Sequence, residues 1–370
     1  MSNPISPAPA VDDHSPEHIA RLAESLMDGL GDALKQIGKV NEETRMLSFN
    51  AAIEAARAGG SSGKAFGIVA EAIRGLSDRT ADVAGTMSQQ TGSVTRELRE
   101  SLDALAKDVR GIRLTDLALT HIDLIDRNLF ERSCDVRWWA TDASLVDALG
   151  PGTPGGGSSG AEADPDKLAF ASKRLGVILS AYTIYHDLVL ADATGRIIAN
   201  GKPHKYTSQG QSVVDRPWFR DAMASSSGED YAFETLHESP LIEQERTLAY
   251  SCAVRTGGEA HGRPLGVLGI LFDWDSLAQT IVNDPSLTED EKQRSRCCIV
   301  DDDGLVLADS EGRMLKEKLP LPNLPSVLTK ENHHFTTTLD QKPTVIAHAY
   351  APGYETYTTG WHSLIIQTLA

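Results

Sequence analysis

Two pairs of neighbouring residues carry the most reactive side chains of this sequence: Cys297-Cys298, and His333-His334 followed by Phe335. Thiols and imidazoles held together would serve nucleophilic chemistry or a metal ion. Adjacent residues on a strand, however, point to opposite faces, so neither pair builds one shared site. No carboxylate-rich or glycine-rich phosphate motif accompanies them. His121 and Cys134 offer no ligand spacing, and the four cysteines show neither C-x-x-C spacing nor the density of a disulfide scaffold. The expectation is a protein that is not an enzyme, with reduced cysteines, no metal and no cofactor.

Recognition chemistry is written more clearly near residue 50. Asn50, Ile53, Glu54 and Arg57 follow i, i+3, i+4 and i+7 spacing and so share one helical face. The surrounding stretch is rich in Ala and Gly, which lets helices approach closely, while the charged pair can make directional contacts with another protein.

The elements that position this face are two helices. Leu22, Leu26, Leu30, Leu34, Ile37 and Val40 before residues 58–65, and Val69, Ile73, Leu76, Val83, Met87 and Val94 after them, recur at spacings of mostly three and four. That is a coiled-coil seam. Folding about Ser61 pairs the arms antiparallel over roughly 63 Å. Two helices alone bury too little surface, so a dimer of hairpins, a four-helix coiled coil, is expected.

Composition limits the partners. The chain has 370 residues, enough for two or three domains, and a formal charge of −17 with pI about 5.1. Such a charge repels a phosphate backbone and an anionic membrane, so no nucleic acid is expected. MSNPISPAPA has no basic and apolar leader, and LGVLGILF (265–272) is shorter than the roughly 18 residues a span requires. No membrane span and a cytoplasmic location follow as expectations.

The stretch TRMLSFNAAIEAARAGGSSGKAFGIVAEAIRGLSDRT (44–80) resembles the signalling tip of bacterial methyl-accepting chemotaxis receptors. The resemblance implies that Met46, Phe49, Asn50, Ile53, Glu54, Arg57 and Ile68 contact the chemotaxis histidine kinase, its coupling protein or neighbouring receptors in a higher cluster. GGSSGKA is one residue longer than the usual family turn, Gly60 replaces a common Glu, and Ala65-Phe66-Gly67 reverses the family order.

Beyond the hairpin, 113–149 keeps a helical pattern and 150–166 is a Gly/Pro/Ser-rich loop. The pattern then changes to short strands. HDLVLADATGRIIAN (186–200) and CCIVDDDGLVLADS (297–310) repeat one another, which argues for two similar lobes. With DRPWFRDAM (215–223), this half resembles a double Cache sensor domain, built from PAS-like α+β lobes. The resemblance implies a small-molecule site in the first lobe, lined by Arg216, Trp218 and Phe219, with Tyr231, Tyr250 and Asp273 beside them. A guanidinium can grip a carboxylate there while aromatic rings exclude water. The amino-acid-binding motif of that family is incomplete, because Gln211 stands where it has Tyr and Leu271 where it has Asp.

The expected fold class is therefore mixed α and α+β: a long helical hairpin forming a dimeric four-helix coiled coil, plus two Cache-like lobes. The expected boundaries are a disordered tail at 1–14, the hairpin at 15–112, a connecting helix at 113–149, the loop at 150–166, a ligand-binding first lobe at 167–285 and a second lobe at 286–370. The expected function is a cytoplasmic chemoreceptor-like transducer. Its alternative is a ligand-independent scaffold or decoy in the chemosensory array.

Overall fold

The computed structural model describes residues 16–150, 164–283 and 286–369. The expected tail over 1–14 lies outside the described residues, as do positions 151–163 of the expected loop. The chain divides into two units, Met1–Arg110 and Gly111–Ala370.

In the first unit, helix α1 (Pro16–Ala58) folds back on the start of helix α2 (Gly60–Trp139). The reversal is tighter than the eight-residue tip expected from sequence. Only Gly59 lies outside the helices, and Gly59 and Gly60 both take positive φ, +59° and +65°, which lets two residues reverse the chain. Gly63 closes the turn by donating its N–H to the Gly59 carbonyl at 3.1 Å. A Cβ on Gly63 would stand 2.5 Å from the Ala55 carbonyl oxygen, so the small-residue cluster is a packing requirement. Further along, Asn41 Nδ2 donates to the Ser77 carbonyl at 2.8 Å, and Arg99 pairs with Glu24. Few side chains are buried here, Leu34, Ala55 and Ala70 among them, because each helix has one neighbour.

The second unit is a mixed α+β structure with two antiparallel sheets. α2 runs unbroken to Trp139, and helix α3 (Ala143–Ala148) follows, its N-terminus capped by Asp142, which accepts from Ser144 N at 2.8 Å. The single connecting helix expected over 113–149 is thus split, because Asp142 satisfies the first-turn N–H groups of a new helix. Helix α4 (Pro165–Ala181) leads into the first sheet, made of β1 (Tyr185–Asp192), β2 (Ile197–Asn200), β3 (Ala232–Ser239), β4 (Glu245–Arg255) and β5 (Pro264–Asp273). Helix α5 (Pro217–Ala224) lies between β2 and β3, and α6 (Trp274–Val282) and α7 (Glu289–Arg294) follow β5. The second sheet comprises β6 (Ser295–Val300), β7 (Val306–Asp309), β8 (His333–Leu339), β9 (Lys342–Tyr350) and β10 (His362–Thr368), with the short helix α8 (Leu324–Val327) before β8.

The strand orders, β2-β1-β5-β4-β3 and β7-β6-β10-β9-β8, are the same topology used twice. The sequence repeat becomes one turn built twice. Asp192 Oδ1 accepts from Thr194 N and Arg196 N around Gly195 (φ +80°). Asp301 Oδ1 accepts from Asp303 N and Leu305 N around Gly304 (φ +80°). An Asp side chain that binds backbone two residues on favours this turn, and Gly supplies the positive φ.

One face of each sheet packs with α3, α4 and the apolar stripe Leu114, Ile122, Ile125, Leu129 and Val136 of α2 in a single core. The far faces form two separate clusters. β5 is buried on both sides, which explains its continuous apolar run. Between lobes, Tyr250 and Tyr357 share a 2.6 Å hydroxyl contact, and Trp274 Nε1 donates to the Leu307 carbonyl at 2.6 Å. Trp139 packs edge-on against Tyr182 and Tyr185, whereas its neighbour Trp138 is exposed. Among the described residues no helix is long and apolar enough to cross a membrane.

Buried Asp126 of α2 ties this core to the segment before β10, accepting from Gly353 N, Thr359 N and Thr359 Oγ1 at 2.8 to 3.0 Å. Burial raises its pKa against the lowering effect of those bonds. Asp126→Ala strands two backbone donors, and a loss of about 3 kcal/mol is expected in chemical denaturation. A loss below about 0.5 kcal/mol would mean that the tie is not structural.

Candidate ligand-binding site

The far face of the first sheet carries Asp187, Ser251 and Glu234 among its apolar side chains. Two register rows cross it. Val189, Gly269, Ser251 and Ala232 stand side by side in one, and Asp187, Leu271, Ala249 and Glu234 in the next. Small residues dominate the middle, and helix α5 fills the space above them. Pro217 opens the helix with a fixed φ, and the next residues, Trp218 and Phe219, point inward and are buried. The indole of Trp218 lies on Gly269, where a Cβ would come within 2.9 Å of the ring. Ser251 Oγ donates to the Trp218 carbonyl at 2.6 Å and fixes the start of the helix to β4. Tyr206, Leu241 and Ile242 complete the apolar wall.

At the β3 edge the wall becomes polar. Arg216, immediately before α5, forms an ion pair with Glu234. His237 stands beside them, Nδ1 lying 3.8 Å from Glu234 Oε1 and 2.8 Å from the Thr235 carbonyl. A bulge creates this neighbourhood. Glu234 pairs with Ala249 and His237 with Thr247, so three steps along β3 match two along β4 and both polar side chains reach one face. Burial lowers the His237 pKa against the opposing pull of Glu234. Glu234 Oε2 and His237 Nε2 are buried and have no hydrogen-bond partner.

The six residues expected to share a site are divided by the structure. Arg216, Trp218 and Phe219 come together. Tyr250 does not join them: alternation along β4 sends Ala249 and Ser251 toward α5 and Tyr250 into the opposite core, where burial raises its pKa well above the usual phenol range. Tyr231 lies on that same opposite side, 6.1 Å from the Tyr250 ring and 6.4 Å from the Tyr357 ring. Asp273 caps α6, accepting from Ser276 N and Ser276 Oγ at 3.1 and 2.6 Å. Glu234 and His237 were missed because FETLHES lacks regular alternation, and the three-residue step between the two is itself the mark of the bulge. A groove of about 570 Å³ between α4 and β2 lies elsewhere, and among the described residues Lys173 and His204 are the ionisable ones that line it.

The residues expected to contact partners lie on the hairpin. Met46, Phe49, Asn50, Ile53 and Ile68 are exposed, and Arg57 Nη1 meets Glu54 Oε1 at 2.8 Å on the surface.

In the second lobe the reactive pairs divide as their alternation requires. Cys297 enters the shared core and Cys298 the far cluster, where burial pushes its thiol up. Three histidines from adjacent strands form a row that neither pair announced. The rings of His333 and His348 lie 4.9 Å apart, His348 Nε2 is 2.8 Å from His362 Nδ1, and His362 Nε2 is 3.1 Å from Asp302 Oδ1. His348 Nδ1 donates to the Glu331 carbonyl, which can only accept, so Nε2 accepts from His362. Among the described residues no three His, Cys, Asp or Glu side chains are arranged to hold a metal ion.

Two α+β lobes of one topology, packed on the same helix, define a tandem sensor module. The profile of the Cache domain family (dCache_1) matches residues 17–369, and the chain belongs to that family. It is similar to the methyl-accepting chemotaxis protein CtpL of Pseudomonas aeruginosa, 40% identical over 93 residues, 25% of this chain and 14% of that protein. It also resembles the methyl-accepting chemotaxis protein PcaY of Pseudomonas putida, 41% identical over 80 residues, 22% and 14% of the two lengths. The chain thus spans about one seventh of the length of either relative. In fold it matches the sensor domain of the V. cholerae histidine kinase DctB with a TM-score of 0.51 at 14% identity, over 70% of this chain and 99% of that one.

Gly269→Ala should cost about 1–3 kcal/mol, because the added methyl displaces the Trp218 ring; an unchanged denaturation midpoint would show that the ring is not seated there. A pH dependence follows from His348. Burial first, and then His362, push its pKa from 6.5 to about 3, so between those values the unfolded chain binds more protons and stability falls as the pH drops. Going from pH 6.5 to about 5 should cost about 1–2 kcal/mol, and His348→Gln should flatten that slope in denaturation titrations.

Proposed function

We propose that the chain is a chemosensory transducer in which the first lobe binds a small molecule and the hairpin tip controls a chemotaxis histidine kinase through its coupling protein. The observation that carries this reading is the hairpin end. Met46, Phe49, Ile53 and Ile68 remain exposed beside the Glu54–Arg57 pair, an apolar surface with a polar mark that suits a protein partner. The likeness to methyl-accepting chemotaxis proteins supports the same reading.

In this proposal the protein is a cytoplasmic homodimer. Leu22, Leu26, Val40, Leu76 and Val83 are exposed along the arms, and a second hairpin would cover them in a four-helix coiled coil that further receptors could join. α2 is the one helix with residues in both units, and we assign it the signal path. A ligand that favours one bundle arrangement by 1 to 3 kcal/mol supplies the range usual for allosteric coupling. The reading is of a sensor, with no chemical step of its own.

The test mixes the full chain with the chemotaxis kinase and coupling protein and follows autophosphorylation. The wild type should change the rate, and Glu54→Ala and Arg57→Ala should each remove most of that change. If all three leave the kinase as it is without them, the signalling role is wrong.

A further inference from the structure

We propose that the second lobe carries a proton-binding site, the row of Glu331, His348, His362 and Asp302, and that uptake of one proton there signals acidity to α2. The site stands on the row alone, and its use as a signal rests on the sensor reading above.

A count of protons carries the inference. Three contacts join four groups: the Glu331 carbonyl to His348 Nδ1 at 3.2 Å, His348 Nε2 to His362 Nδ1 at 2.8 Å, and His362 Nε2 to Asp302 Oδ1 at 3.1 Å. Both ends, a carbonyl and an ionised carboxylate, can only accept, so each contact needs its own N–H. Two neutral imidazoles bring one N–H each. Every neutral arrangement therefore sets two lone pairs against each other at one of the three contacts. A single added proton fills all three: His362 then donates from both nitrogens, and His348 keeps its proton on Nδ1. Burial makes the count matter, since His348 is fully enclosed and His362 is 3% exposed, so solvent cannot serve a frustrated contact between the rings. The open end is Asp302, whose side chain is 81% exposed. It can turn into water while the row is neutral, and it docks when His362 is charged.

Other titratable and charged groups surround the row. His333 Nδ1 shares the Glu331 carbonyl at 3.0 Å, the Tyr350 ring lies 5.2 Å from that of His362 with Lys330 over its far side, and Asp301 belongs to the same turn as Asp302. Burial lowers the His362 pKa below 6.5 against the pull of Asp302 and Asp301, so uptake falls on the acid side of neutrality. Burial, and then the neighbouring rings, hold His348 down to about 3, which keeps it neutral there. The path to α2 is short: His362 opens β10 and follows the segment whose Gly353 and Thr359 amides donate to Asp126.

NMR of the full chain labelled with 15N-histidine tests this, because the ring nitrogens report which of them hold a proton. At about pH 8 His362 should hold one proton, and as the pH falls it should gain the second while His348 stays singly protonated. Asp302→Asn, a change on an exposed side chain, should lower that midpoint by about half a pH unit or more, and Asp303→Asn in the same turn should move it less. Protection of the Gly353 and Thr359 amides against hydrogen exchange, corrected for the intrinsic effect of pH, should change across the same midpoint and follow it in Asp302→Asn. A His362 that holds one proton until the protein unfolds in acid overturns the site. So does a midpoint that Asp302→Asn leaves in place, or that both Asn variants move equally. Protection that ignores the midpoint overturns the signal to α2. The kinase assay above is independent of these readouts, so its failure removes the sensor reading and leaves the proton site standing.

Discussion

The apolar stripe of α2 beyond Gly111 is the interaction on which residues 111–370 depend. Leu114, Ile122, Ile125, Leu129 and Val136 are wholly removed from solvent, and one face of each sheet closes over them in a common core. Neither sheet could stay folded with that face in water, since each presents buried apolar side chains there, Leu188, Leu190, Leu268, Ile270 and Phe272 in the first and Ile299, Leu307, Val345 and Ile365 in the second. Asp126, on the same helix, adds a directional tie to this packing. Burial on this side leaves the opposite face of each sheet free to differ, and the two lobes differ there.

In the first lobe, Gly269, Ala249 and Ala232 keep the sheet surface low and α5 lays an indole across it. The β3 bulge then turns two polar side chains toward the same space. In the second lobe the equivalent face is filled by Cys298, Val300, Val306, Ile346 and Leu364, with the histidine row at its end. One topology thus carries two surfaces of opposite character, and the physical distinction is volume. Small residues in the centre of a sheet make room for an inserted ring, and branched apolar residues there leave none.

The hairpin obeys another constraint. An isolated pair of helices can hide only the seam between them, and the remaining apolar positions stay in water. Polar contacts such as Asn41 to Ser77 fix the alignment of the arms without adding much buried area. Two glycines with positive φ make the reversal, and a third, Gly63, admits the close approach beside it.

Much of this was legible from local pattern. Heptad-like spacing marked both arms, and the D-A-T-G-R and D-D-D-G-L stretches marked one turn used twice. Such features depend on neighbours in the chain, where periodicity and turn chemistry act directly. Tertiary structure alone decided which of the candidate residues meet. Tyr250 is one step from Ala249 and Ser251 and faces the other core, while Glu234 and His237 share a face because β4 has one residue fewer between their partners. His348 and His362 meet only because β9 pairs with β10. The sequence determined the elements, their order and their repetition, since these follow from hydrophobic period and backbone preference. Register, bulge and the face each side chain takes were settled by pairing between distant strands, because a shift of one residue reverses every side chain on a sheet.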